Sequence, residues 1–339
     1  MIEKQGFALI GAGLFGERHA QAYSRHPFVD FRWVCDANAE RAKLIAERYA
    51  VPRWTVDMAD VLNDPEVKAV SAALPDHLHK DVAVRVANAG KHLLCEKPLA
   101  TTVEDAIEIV DAAKRNGITL MVDFHNRVNP PFVSAKDAIQ RGDIGTPAYV
   151  YCRLSNTTAV PTDMLKWSSH SSALWFLGSH MIDVVSWMLQ DEVISVYAVS
   201  REGVLHGLGV QAPDFHVALL EFKKGTVATF EHAWILPRTH STVKDLKVEI
   251  LGSKGQINID GSHNRVIEVF TAEKQAFPDL FAPPTGSHLT GFVLDSIAYF
   301  IDAVTTGAPV IATGEEGIRN VKIIHAILES ARIGQRITL

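Results

Sequence analysis

The sequence predicts an α/β chain in two parts: a doubly wound parallel sheet, then an α+β half built on a mainly antiparallel sheet. Three observations carry this. A G-x-G-x-x-G turn, Gly11-Ala12-Gly13-Leu14-Phe15-Gly16, directly follows the apolar run 7–10. Strand-like and helix-like segments alternate through the first third of the chain, the pattern of a parallel sheet. From about residue 193 to 270 strand-like runs instead meet around short glycine turns, as in hairpins.

The elements follow in order. Strand one, 7–10, feeds a helix that runs through Tyr23. A strand at 31–35 and a helix at 39–49 come next, then a short strand near 53–54 and a helix through Leu62. The run 67–74 is broken only by Lys68 and Ser71, as expected of a strand buried on both faces. A helix at 77–89 stops at Gly90, a suitable residue for a left-handed helix end. Strand 92–95, helix 103–116 with Gly117 behind it, and strand 118–122 complete the alternation. After Asn129-Pro130-Pro131 a helix reaches about Arg141, followed by a strand at 148–154 and a helix at 172–189. Runs 215–222 and 226–234 flank Lys223-Lys224-Gly225, and 247–251 and 256–259 flank Gly252-Ser253-Lys254-Gly255. A strand at 266–270, a loop at 278–286 and helices at 289–305 and 315–333 close the chain. The boundary is expected near Asp123, giving parts 1–123 and 124–339.

Bulk properties narrow the function. With 339 residues, 47% apolar and 21% charged, the chain can bury a large core in two domains. A net charge of -6 without a basic run argues against a nucleic-acid partner. The most apolar helix candidate is interrupted by His180 and Asp183, which argues against a membrane span. Cys35, Cys95 and Cys152 lie far apart and read as buried small hydrophobes in a reducing compartment. With no secretory pattern at the start, a cytoplasmic location is expected.

The glycine turn points to a dinucleotide. The first glycine allows a tight turn, the second lets a pyrophosphate approach the backbone, and the third lets helix and strand pack closely. Free N–H groups at the helix start then face the anion. Leu14 and Phe15 belong to the same cradle. Asp36 ends strand two, where a carboxylate can accept from the adenosine ribose and repel a 2′-phosphate; alternatively it caps the next helix. NAD is therefore expected, with NADP left open by Arg41 nearby. Leu74, Pro75, His77 and His79 follow strand four at the crevice edge; the histidines line the cofactor or cap the helix. They lack a complementary cluster, so no metal site is expected. Glu96-Lys97-Pro98 follows strand five. A lysine there can donate to a substrate hydroxyl, its pKa lowered by apolar walls, or it simply pairs with the glutamate. The proline fixes that turn, through a cis bond or a trans one. His180 and Asp183 share one helix face, and the histidine either takes an alcohol proton or sits bonded in the core. Arg127 is expected to tie the two domains by a salt bridge.

The motifs occur in a recognisable order. Gly11-x-Gly13-x-x-Gly16, Asp36, Leu74-Pro75-Asp76-His77-Leu78-His79, Ala89 through Ala100 with its Glu96-Lys97-Pro98 core, and Gly178-Ser179-His180-Met181-Ile182-Asp183 follow one another, and Gly314-Glu315-Glu316-Gly317 opens the last helix. Over nearly its whole length the chain resembles the glucose–fructose oxidoreductase, inositol dehydrogenase and rhizopine-catabolism (Gfo/Idh/MocA) family. The resemblance implies an N-terminal Rossmann domain and a C-terminal α/β domain with an open antiparallel sheet that makes a dimer or tetramer interface. It implies Lys97 as the active-site lysine, His180 as acid/base and Asp183 as a substrate-hydroxyl contact. Asn126, with His125 and Arg127, falls where members of the family approach the nicotinamide. The implied reaction is hydride transfer between NAD(P) and a secondary alcohol or ketone of a sugar or cyclitol.

One departure stands out. Many members carry an aspartate four residues before the histidine, and here that residue is Phe176. The polarity lost there is expected from another group, Asp163 or His170, or the substrate is handled differently. The loop 160–172 covers the substrate, with Trp167 stacking on a sugar face, or serves as an interface arm. Two alternatives to a dehydrogenase stay open: an NAD-retaining glycoside-processing enzyme of the same family, and a dinucleotide-binding sensor without turnover.

Overall fold

The computed structural model describes residues 3–262, the two-residue strands at 269–270, 275–276, 284–285 and 288–289, and residues 291–339. The chain forms two compact units, one of residues 1–128 with 281–321, the other of 129–280 with 322–339.

The first unit holds the predicted alternation. Strands β1 (Gln5–Ile10), β2 (Val29–Cys35), β3 (Arg53–Thr55), β4 (Val67–Ala72), β5 (His92–Cys95) and β6 (Leu120–Val122) are joined by helices. These are α1 (Leu14–Arg25), α2 (Ala39–Arg48), α3 (Met58–Asn63), α4 (His79–Asn88) and α5 (Val103–Arg115). The strand order is 3-2-1-4-5-6, all parallel, so the chain reverses direction across the sheet between β1 and β4. Phe7, Leu9, Val34, Val70, Leu93 and Leu94 are fully buried, as strands covered on both faces require. Gly90 and Gly117 adopt φ of +69° and +62° behind α4 and α5, the left-handed stops the sequence suggests. The predicted start of α4 is instead a 3-10 turn, Asp76–Leu78.

A late segment completes this unit. The helix at Phe292–Thr306, numbered α9 below, buries Ile297, Phe300 and Ile301 in the same cluster as Phe7, Tyr23 and Phe31. Phe300 meets Phe7 edge-on at 6.2 Å between ring centroids.

The second unit contains α6 (Pro130–Arg141), β7 (Pro147–Asn156), α7 (Ser179–Leu189), β8 (Val193–Arg201), a one-turn α8 (Val204–Gly207), β9 (Phe215–Phe222), β10 (Val227–Ala233), β11 (Lys244–Gly252) and β12 (Gln256–Asp260). Small pairs β13 (Val269–Phe270) with β14 (Gln275–Ala276) and β15 (Pro284–Thr285) with β16 (His288–Leu289) precede α9 and α10 (Gly314–Ile333), and β17 (Ile337–Thr338) ends the chain. The large sheet runs β12-β11-β7-β10-β9-β8-β17. The hairpins β9–β10 and β11–β12 form where glycine turns predict them. The sheet is mainly antiparallel as expected, with one parallel pair, β7 with β10, Tyr151 opposite Thr229. The sequence between them supplies a long crossover that a hairpin does not have. Residues 149–154 alternate on β7, with Val150, Cys152 and Leu154 buried and Tyr149, Tyr151 and Arg153 half-buried on the opposite face.

The expected strand at 266–270 is described only at Val269–Phe270, and 266–268 lie outside the described residues. Most of the expected loop 278–286 lies outside them too, with Pro284–Thr285 extended in β15. Cys35, Cys95 and Cys152 are all buried free thiols. No helix among the described residues is long and apolar enough to cross a membrane.

Candidate active site

The three glycines of the turn are used differently. Gly11 has φ +93°, and a Cβ there would lie 2.2 Å from the Ala73 carbonyl oxygen. At Gly16 a Cβ would lie 1.9 Å from the Gly11 carbonyl oxygen, so α1 can pack on the turn only without a side chain. Gly13 is the opposite case: a Cβ there would meet nothing within 4 Å. It caps α1 without a side-chain hydrogen bond, so the first N–H groups of the helix keep their donors for an anion. This open backbone edge fits a pyrophosphate. Leu14 beside it is exposed, and Phe15 stacks on His125 with ring centroids 6.0 Å apart.

Asp36 closes the other side of the turn. Its carboxylate accepts from the Ala12 N–H at 2.7 Å and from the Asn38 N–H at 2.8 Å. The cap of α2 is Asn38, which accepts from the Arg41 N–H at 3.0 Å, so the helix-cap alternative for Asp36 does not hold. Arg41 donates from Nε to the Ala12 carbonyl at 2.5 Å.

Beyond β4 and β5 two loops converge. His79 is fully buried, and its ring nitrogens lie 2.7 Å from the Pro98 carbonyl and 3.0 Å from the Leu74 carbonyl. One imidazole therefore ties the Leu74-Pro75 loop to the Glu96-Lys97-Pro98 loop. His77 is partly exposed, 3.6 Å from Asp76. The Lys97–Pro98 bond is cis. Lys97 is buried; that burial pushes its pKa down, against the opposing pull of Glu96, Asp76 and Asp123. Burial pushes Glu96 the other way, yet its hydrogen bond to His19 and the charges of His19, Lys97 and His125 hold it below the usual carboxylate range.

His125, Asn126 and Arg127 form a buried 3-10 turn after β6. Arg127 donates to the Ile311 carbonyl at 2.9 Å and to Glu316 at 2.8 Å. The salt bridge forms, but both partners belong to the first compact unit, so it braces that unit rather than tying two.

In the second unit the predicted helix 172–189 begins as a π-turn, Leu174–Gly178, and becomes α-helical only at Ser179. Wider turns of this kind occur often at functional positions. Gly178 permits the arrangement: a Cβ there would come 2.7 Å from Leu174 and 3.0 Å from the His232 ring on β10. His180 and Asp183 lie three residues apart on α7, both buried. Phe176 sits between two tryptophans, with centroids 6.0 Å from Trp167 and 6.0 Å from Trp234. His170 is exposed, and Asp163 is held at the surface by Arg238 through bonds of 2.6 and 3.0 Å. That guanidinium holds Asp163 down to about 2. Asp163 is thus committed to Arg238, and the surroundings of Phe176 stay aromatic.

Sequence reasoning missed a buried polar cluster. His19, Ser71, Glu96 and Asp123 are all buried, and His19 bonds Ser71 at 2.9 Å and Glu96 at 3.0 Å. A signal was present: Asp123 follows β6 as Glu96 follows β5, and the two strands pair with Cys95 opposite Val122.

Comparison with known proteins agrees with this geometry. A family model described as an oxidoreductase family with an NAD-binding Rossmann fold matches residues 5–124. Its companion, the C-terminal alpha/beta domain of that oxidoreductase family, matches 136–339. Levoglucosan dehydrogenase of Pseudarthrobacter phenanthrenivorans is 28% identical, over 97% of this chain and 97% of that protein. The scyllo-inositol 2-dehydrogenase (NAD(+)) of Bacillus subtilis is 27% identical, over 98% and 95%. Among solved structures, GenD2 from gentamicin A biosynthesis, in complex with NAD, superposes with a TM-score of 0.88 at 25% identity, over 100% of this chain and 97% of that one. Levoglucosan dehydrogenase in complex with NADH and L-sorbose gives 0.82 at 26% identity, over 99% and 98%.

Proposed function

The chain belongs to the Gfo/Idh/MocA oxidoreductase family, and on that premise we propose that this NAD-dependent enzyme oxidises a ring carbinol of a sugar or cyclitol, or reduces the matching ketone. The observation that carries the reading is Lys97, buried on the loop after β5, in the unit whose glycine turn leaves the backbone at Gly13 open. Bound NAD supplies the hydride acceptor. The Lys97 ammonium donates to the substrate oxygen, and His180 takes the proton as the carbinol is oxidised. Asp183 holds a neighbouring hydroxyl. Trp167, His170 and Phe176 belong to the substrate side. The aromatic set of Trp167, Phe176 and Trp234 favours a ring that offers one apolar face.

The cofactor contacts we assign are Gly11, Gly13, Leu14, Phe15, Gly16, Asp36, Leu74, Pro75, His77, His79, Glu96, Lys97 and Asn126. Of these, His79 acts by holding two loops in place. The Asp36 carboxylate, already bonded to the turn, favours NAD over NADP. We assign NAD binding to 1–123 and substrate binding and self-association to 124–339, with 281–321 serving the core of the first unit. The half-exposed face of the large sheet, with Tyr149, Tyr151 and Arg153, supports a homodimer or homotetramer. Three buried free thiols suit the cytoplasm.

A panel of sugars, sugar acids and cyclitols, assayed with NAD and NADP separately, tests this. Reduced nicotinamide should accumulate with at least one member, and Lys97→Ala and His180→Ala should each lower kcat about 100-fold or more. Full turnover in Lys97→Ala would sink the assignment. Tight NAD retention and substrate cleavage without net reduction would point instead to glycoside processing.

A further inference from the structure

Behind Lys97 lies a polar cluster of which the reaction above uses only Glu96, as a cofactor contact. Tyr23 and His19 come from α1, Ser71 from β4, Glu96 and Asp123 from the ends of β5 and β6, and Ser296 from α9. Tyr23 OH meets Ser71 Oγ, which lies 2.9 Å from His19 Nδ1. His19 Nε2 lies 3.0 Å from Glu96 Oε1, and Glu96 Oε2 accepts the Lys97 N–H at 3.2 Å. Ser296 donates to Asp123 Oδ1. Asp123 Oδ2 is 3.9 Å from His19 Nε2 and accepts no N–H or O–H among the described residues, while its carboxyl group is within hydrogen-bonding reach of the Glu96 carboxyl group. His19, Ser71, Asp123 and Ser296 are wholly buried.

The two acids are served unequally, Glu96 at 3.0 Å from His19 and Asp123 at 3.9 Å. One imidazole stands between two carboxyl groups, and it is committed to Glu96. A buried carboxylate with one oxygen unserved costs several kcal/mol, and adjacent acids relieve the cost by sharing a proton. We propose that Glu96 and Asp123 together hold one proton in mildly acidic solution, carried on Asp123 and lost around neutrality, and that this acid sets the charge Lys97 feels, making Asp123 a positioning residue for the ammonium. The second half of this statement rests on Lys97 being the active-site lysine. Burial and the nearby Glu96 charge push Asp123 up to about 7, against the pull of His19 and Ser296. The other titratable groups that face the cluster are Asp76 and His125, besides Tyr23 and Lys97 themselves. As pH rises through the Asp123 midpoint, its O–H bond breaks and the proton passes to solvent. The new carboxylate then holds Lys97 protonated in the range where burial alone would strip it.

The infrared spectrum of the whole protein tests the first half without reference to activity. In the difference between the spectra of the unaltered protein and Asp123→Asn, a carboxylic-acid C=O band assignable to Asp123 should be present at about pH 6 and absent at about pH 9. Glu96→Gln removes the neighbouring charge, so the band should vanish at lower pH than in the unaltered protein. The second half predicts that the alkaline limb of kcat/KM moves to lower pH in Asp123→Asn by about one unit. No acid band, or a band untouched by Asp123→Asn, overturns the shared proton. An unmoved alkaline limb overturns the coupling to Lys97. His19, Glu96 and Asp123 also present one donor atom each within 4.8 Å of one another. A stoichiometric metal ion in the purified protein, lost in Asp123→Asn, would overturn the proposal outright. If Lys97→Ala still turns over, the coupling falls with the catalytic assignment, while the infrared result stands on its own.

Discussion

Asp36 accepts the backbone N–H of Ala12 at 2.7 Å, so the carboxylate at the end of β2 is fastened to the glycine turn that starts α1. The same group thereby shapes the turn, and the proposed function gives it the coenzyme ribose as well. In Asp36→Ala, NAD affinity should fall by about tenfold or more, the worth of a hydrogen bond to a charged group, while NADP loses less. Fluorescence titration with each coenzyme reads this directly. Equal losses for both would show that only the turn was damaged.

Gly13 and Gly16 should separate binding from folding. A methyl at Gly13 meets nothing, so Gly13→Ala should change stability by no more than about 1 kcal/mol yet weaken NAD at least tenfold. Gly16→Ala places its methyl against the Gly11 carbonyl and should cost about 2 kcal/mol or more. Urea unfolding without coenzyme, paired with NAD titration, distinguishes the two variants.

His216 and His232 face each other across β9 and β10, buried, and both are pushed down to about 4, chiefly by burial. Their folded-state pKa lies below the unfolded value of 6.5. The stability they contribute is therefore present above pH 6.5 and is lost as pH falls towards 4. Each accounts for about 3 kcal/mol across that window, with a smaller joint total because the two rings interact. Urea unfolding across the window should show stability falling with a slope of up to two protons. His232→Gln should flatten it; an unchanged slope would place the proton uptake elsewhere.

Phe176→Asp would put a carboxylate one helical turn before His180, between Trp167 and Trp234. Loss of aromatic packing and burial of charge should cost about 3 kcal/mol. If His180 is the acid/base, its limb in the pH profile of kcat/KM should move up by about one unit, since a carboxylate favours the imidazolium. If Phe176 lines the substrate side as proposed, the preferred substrate should also gain a hydroxyl on the face nearest position 176. A profile that does not move would mean position 176 does not sense His180.

The local features were legible in the sequence. The glycine turn, the left-handed stops at Gly90 and Gly117 and the hairpin at Lys223-Lys224-Gly225 each depend on a few neighbouring residues, whose types dictate backbone shape. Long-range features were not. His19 and Glu96 are 77 positions apart, and only the parallel register of β5 and β6 sets Asp123 beside Glu96. The π-turn at Leu174–Gly178 was hidden for another reason: its apolar spacing resembles an ordinary helix, and the close approach of Gly178 to His232 on β10 is a contact between residues far apart in sequence. The parallel pairing of β7 with β10 was masked by the hairpins around it, since turns report which strands are consecutive and not which are adjacent.

The position of α9 has a consequence for synthesis. Phe300, Ile297 and Ile301 seal a core whose other members, Phe7, Tyr23 and Phe31, leave the ribosome hundreds of residues earlier. The nascent amino-terminal sheet must wait with that greasy flank uncovered until residue 306 has emerged, a delay in which chaperones have their opportunity to bind.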